Sequence, residues 1–193
     1  MDVDDYLRRQ AGVIDHQQAL TAGLSGSAVK RRVVSGRWVR LHPRVYLAAD
    51  HPRTDEVRLR AAVLWAGVGA VAHGVSAAWW HELSPRLPQC VEVTVPRQRC
   101  PGRCPDVVVR RRDIDPLDVA EYRDLPVTGI ALTVLEAAVA LGAGGSVFLD
   151  RALQQRVTFG WVHRAHCRNL GRRGSAAASA LLTAAADRAC SQA

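Results

Sequence analysis

The sequence predicts an α+β protein, with a small helix-and-hairpin module at the N-terminus, then a mixed domain with a small sheet and a helical C-terminal part. Three observations predict it. Over the first fifty residues, short helical periods behind Asp or Ser caps give way to β-rich runs. Extended runs at Cys90–Val95, Val107–Arg112 and Leu125–Thr128 suit a sheet. Beyond Leu132 the periodicity is helical almost to the end of the chain.

Val3–Gln10 reads as a short helix with Val3, Tyr6 and Leu7 on one face, followed by Gly12 and Val13-Ile14. Asp15 caps a helix over about His16–Ala22, with Gln18 completing a capping box. That helix turns Ala19 and Leu20 inward and ends at Gly23, suited to a left-handed C-cap. Ser25 caps a second helix through about Val34, where Val29 and Val33 recur at i, i+4 for the core, and Gly36 closes it. Two β-rich runs, Arg37–Leu41 and Arg44–Ala48, then flank a turn at His42-Pro43. Helix, Gly-containing turn, helix and hairpin together are the order of a winged helix-turn-helix. Alternation leaves open which face Trp38 takes.

Polar, Pro-containing Asp50–Thr54 marks a boundary, giving a winged helix over 1–50 and an α+β domain over 54–193. Thr54 caps a helix over Asp55–Ala66 with Val57, Ala61 and Leu64 inward. Val68–His73 reads as a short strand and Val75–Leu83 as a helix whose adjacent Trp79 and Trp80 point to different sides. Helices follow at Leu132–Leu141, Ser146–Gln155, Gly160–Leu170 and Ser175–Cys190.

A net charge of +8 suits a polyanionic partner. Its distribution is more informative than its sum, because an Arg-rich, Lys-poor chain also fits a high-GC genome. From His16 to Ala49 there is no carboxylate, whereas Lys30, Arg31, Arg32, Arg37, Arg40 and Arg44 are basic. Ser27, Lys30, Arg31 and Val34 fall on the helix face away from Val29 and Val33. Ser25 and Ser27 place hydroxyls and free amides where a phosphate would bind. Lys30 and Arg31 reach toward base edges or phosphates, and Arg37, Arg40, His42 and Arg44 toward the flanking backbone or minor groove. The expected partner is therefore double-stranded DNA. A solvated basic face and a protein-binding platform are the alternatives. The second basic stretch, Arg97–Arg112, fits an extended DNA footprint, an acidic protein or a protected sheet edge equally well.

Other chemistries find little support. Lys30 is the only lysine, which removes a Glu-x-Lys nuclease core and a P-loop, so no enzyme is expected. Cys100-x3-Cys104 has no second Cys/His pair, and His163, His166 and Cys167 have no carboxylate companion, so no metal or other cofactor is expected. No apolar run is long enough for a membrane span, and the acidic N-terminus is unlike a signal peptide. A cytoplasmic protein with reduced thiols is expected.

The order Gly-Leu-Ser…Ala-Val-Lys-Arg-Arg…Ser-Gly-Arg-Trp-Val-Arg-Leu-His…Val-Tyr over Gly23–Tyr46 resembles the N-terminal domain of AbiEi-type antitoxins of type IV toxin–antitoxin systems. His73-Gly-Val-Ser-Ala-Ala-Trp-Trp, Val93-Thr-Val-Pro96 and Pro126-Val-Thr…Leu-Thr-Val-Leu-Glu136 resemble the core shared by actinobacterial proteins with that N-terminus, so the likeness runs over about 5–155. It implies a winged-helix repressor of its own promoter, joined to a domain that neutralises a nucleotidyltransferase-like toxin. Many such proteins continue into a Vsr-like endonuclease domain, which is expected to be absent here. A remnant of such a nuclease-bearing protein, or an interaction module without DNA binding, is the alternative. Arg44 stands where the family usually has Gly, and Glu136 where it usually has Asp. The first departure bears on the wing turn, since Gly permits positive φ. One winged helix covers a half-site, so a homodimer or repeated sites would complete it.

Overall fold

The computed structural model describes residues 1–191. Helix α1 (Val3–Arg9) opens with a capping box in which the Asp5 N–H donates to Asp2 at 2.8 Å and the Asp2 N–H to Asp5 at 3.2 Å. Strand β1 (Val13–Asp15) follows, too short for any period to register in the sequence. Helix α2 (His16–Thr21) starts in the Asp15–Gln18 capping box. Helix α3 (Gly26–Val34) and strands β2 (Trp38–His42) and β3 (Val45–Ala48) complete the module. Its antiparallel sheet has the order β1-β3-β2, which makes it a winged helix.

Strand β3 is buried along its whole length because both faces are covered. Tyr46 and Ala48 turn toward the helices, with Ile14, Ala19, Val29 and Trp38. Val45 and Leu47 turn the other way, with Val13, and meet Val57 and Ala61 of α4 (Asp55–Ala66). Each buried valine, leucine or isoleucine among them contributes roughly 1.5–3 kcal/mol on burial. Trp38 takes the helix side, buried and stacked on Tyr46 with ring centroids 5.7 Å apart. Thr54 caps α4, its Oγ1 accepting from the Val57 N–H at 3.2 Å.

The chain forms two compact units. The first holds Met1–Ala72, Gln89–Asp113 and Glu121–Pro126; the second holds His73–Pro88, Ile114–Ala120 and Val127 onward. After β4 (Val71–Ala72) and α5 (Gly74–Trp80) come β5 (Val91–Val95), β6 (Val107–Arg111), β7 (Val119–Tyr122) and β8 (Leu125–Thr128). With β4 they form a sheet of order β6-β5-β4-β8-β7. Strands β5 and β6 are parallel, Val91 opposite Val107 and Val95 opposite Arg111, so the Cys-bearing loop is a crossover and not a hairpin turn. The joint between β7 and β8 is Arg123-Asp124, with φ of 52° and 54°. Buried Arg60 holds it from α4, donating to the Asp124 carbonyl at 3.1 Å, the Arg123 carbonyl at 2.8 Å and Glu56 Oε1 at 2.9 Å.

The second unit is mostly helical. Helix α6 (Ile130–Ala140) packs with α5, α7 (Gly145–Gln155), α8 (Phe159–Arg168) and α9 (Ser175–Cys190). Leu132, Leu135, Leu149, Val162 and Leu182 lie in its core. Ala-rich α9 packs along one face through Ala178, Leu182 and Ala185, which supplies the stability its sequence lacks alone. Trp80 is buried and Trp79 half-buried. Among the described residues no helix is long and apolar enough to cross a membrane.

Candidate nucleic-acid interface

The turn between α2 and α3 fixes the direction of the second helix. Gly23 takes φ 91°, the left-handed conformation that favours glycine. Its N–H donates to the Leu20 carbonyl at 3.0 Å and the Leu24 N–H to the Ala19 carbonyl at 3.0 Å, a Schellman closure. Ser25 then caps α3, its Oγ accepting from the Ala28 N–H at 3.2 Å and lying 2.8 Å from Ser27 Oγ. Ala28 and Val29 anchor α3 in the core.

What α3 leaves outside is a basic stripe. Ser27, Lys30, Arg31 and Val34 are all exposed, and they line a shallow concavity with Arg32, Ser35 and Arg37. Ser25 is exposed at its N-terminal end. Arg32 lies 5.5 Å over the Trp38 ring, a cation–π contact that ties α3 to the wing. The helix-face pattern does not single out Arg32; its signal in the sequence is the indole six positions on. Among the described residues, no ion pair neutralises Lys30, Arg31, Arg32, Arg37, Arg40 or Arg44.

On the wing, Arg37, Arg40 and Arg44 are exposed. Arg44 has φ 63°, and its carbonyl accepts from the His16 N–H at 2.8 Å, so the turn is locked to the start of α2. An arginine thus occupies a left-handed position at which a Cβ costs about 1–2 kcal/mol. His42 is placed differently from these arginines. Its ring is half-buried, with Nδ1 3.4 Å from Cys104 Sγ and its centroid 6.0 Å from that of Trp65. Burial holds the His42 pKa below its ordinary value.

The basic stretch beyond residue 96 is engaged internally in part, with Arg97, Arg99, Arg103 and Arg111 still exposed. Arg111 donates to the Arg97 carbonyl at 2.6 Å, buried Arg112 to Thr94 Oγ1 at 3.2 Å, and Arg97 lies 3.8 Å from Asp113. On α8 the His/Cys group splits in two. His166 is buried, 2.8 Å from Ser179 Oγ and with its pKa lowered by burial, while exposed Cys167 and His163 face each other, Sγ 3.7 Å from Nδ1. Among the described residues no group of three or more His, Cys, Asp or Glu could hold a metal ion.

Residues 1–49 match the family of the transcriptional regulator, AbiEi antitoxin, a regulator family and not an enzyme family. The crystal structure of the RV2827C protein from Mycobacterium tuberculosis is similar at a TM-score of 0.56 and 20% identity, over 95% of this chain and 75% of that one. At that identity the likeness is one of fold. No curated protein matches the chain.

Proposed function

We propose that this protein is a DNA-binding transcriptional autoregulator of the AbiEi-antitoxin type, cytoplasmic and without catalytic activity. In this reading residues 1–50 are the DNA-binding domain and 54–193 the antitoxin-like domain. The observation that carries it is the unneutralised cationic surface of α3 and the wing, on a winged helix that matches a regulator family. Helix α3 enters the major groove; Ser25 and Ser27 meet phosphate, Lys30 and Arg31 meet base edges. Arg37, Arg40 and Arg44 hold the flanking backbone, and His42 supports the wing from behind. A homodimer would cover two half-sites.

Electrophoretic retention of the gene's own upstream DNA, titrated against salt, tests the wing. Arg37→Ala and Arg40→Ala should each weaken all duplexes alike and lower the log–log salt slope by about 1. Arg44→Gly should lower it similarly while raising thermal stability, since glycine relieves the positive φ by roughly 0.5–1 kcal/mol net. Unchanged slopes in all three variants would remove the wing from the interface.

The second domain is proposed to hold a cognate nucleotidyltransferase-like toxin. Supporting this is an exposed groove of about 380 Å³ in the second unit, lined by Leu117, Ile130, Trp161 and Arg164, with Leu117 77% and Trp161 53% exposed. Co-purification with such a protein encoded alongside should be lost on Trp161→Ala. Retention by that variant would place the contact elsewhere.

A further inference from the structure

We infer that Val34 reads a pyrimidine C5-methyl group in the major groove, setting base preference at one position of the DNA site. The inference rests on the DNA-binding reading above and adds a base-reading residue to it. Ser27, Lys30, Arg31 and Val34 stand at i, i+3, i+4 and i+7 of α3 and share one stripe. Its other members are polar or charged. Val34 is 78% exposed, whereas Val29 is 2% exposed and Val33 packs against the core. A lone valine in water needs no explanation. This one lies inside a concavity that also holds Lys30, Arg31, Arg32 and Arg37 and no carboxylate, so the occupant it faces is a polyanion.

Against DNA, a valine has few complements. It neither donates nor accepts, and covering a base-edge donor or acceptor would leave that group unsatisfied. The apolar feature of the major groove is the C5-methyl of thymine, and 5-methylcytosine carries the same group. Position agrees with this role. Seven residues separate Ser27 from Val34, about 10.5 Å of helix rise, or roughly three base-pair steps. Val34 therefore reaches a different base pair from the hydroxyls at the start of α3, with Lys30 and Arg31 between them.

The test uses the full chain and duplexes from its own upstream region, read by fluorescence anisotropy. In one series each thymine is singly replaced by deoxyuridine, which removes only the methyl group; in another each cytosine becomes 5-methylcytosine. Wild type should show a thymine whose replacement weakens binding about 3–5-fold, the worth of one buried methyl, and Val34→Ala should lose that sensitivity. If deoxyuridine has no effect but one 5-methylcytosine strengthens binding by wild type alone, the same contact is made to methylcytosine. The inference is overturned if neither series moves wild type, or if both move Val34→Ala equally. No retention of any duplex at low salt would instead overturn the DNA-binding reading beneath it.

Discussion

Replacing Arg60 with alanine is expected to destabilise the unit that carries the winged helix by about 3 kcal/mol. This arginine is 4% exposed and donates to two backbone carbonyls and one carboxylate. Both carbonyls belong to Arg123 and Asp124, which hold left-handed backbone without being glycine. Such a turn persists only where its surroundings over-determine it. Without the guanidinium, two part-buried carbonyls lose their donor and the turn's strain goes unopposed. The Glu56 carboxylate is about one-third exposed and recovers water, which keeps the total near the lower end for a buried pair. Arg60→Lys should rescue little, since an ammonium cannot span two carbonyls as the planar fork does. Urea denaturation followed by tryptophan fluorescence checks this. A loss below about 1 kcal/mol would mean the β7–β8 turn holds itself.

Joint replacement of Lys30 and Arg31 by alanine should remove most of the sequence preference while leaving the fold intact. Both side chains are exposed and in no ion pair, so folding loses almost nothing. Binding loses two base-edge contacts of about 1–3 kcal/mol each, a drop of about 30-fold to 10⁴-fold for the upstream site. Unrelated DNA should lose much less, through two fewer phosphate-attracting charges. The gap in affinity between the upstream and unrelated duplexes should then shrink sharply, leaving the smaller preference that Val34 supplies. Equal loss on both would reduce the two residues to phosphate contacts.

Much of the winged helix is written in local chemistry that a single chain displays. Asp15, Ser25 and Thr54 each cap the helix they precede, and Gly23 takes the left-handed turn between two of them. Such signals act within four residues, so they need no tertiary context. Other features depend on partners distant in sequence. Strand β7 escaped notice because its turn is Arg123-Asp124, lacking the Asn-Gly or Asp-Gly chemistry that marks a hairpin; its conformation is imposed by Arg60, 63 positions away. The parallel pairing of β5 and β6 is likewise a property of the sheet and not of either strand. His42 illustrates the same limit within the site. The register shifts between Arg40 and His42, so strand alternation no longer tells where that ring points. Arg44 takes the positive φ that a glycine would permit there, an outcome that arginine's own propensity does not announce.

Sequence-specific DNA binding by the cationic face of α3 is open to a single competition measurement. The full chain is titrated onto its labelled upstream duplex at about 0.05 and 0.2 M salt, against unlabelled upstream or shuffled competitor. Upstream DNA should displace the label at concentrations at least 10³-fold lower than shuffled DNA does, with affinity falling steeply as salt rises. Equal displacement by both competitors, or affinity indifferent to salt, would contradict it.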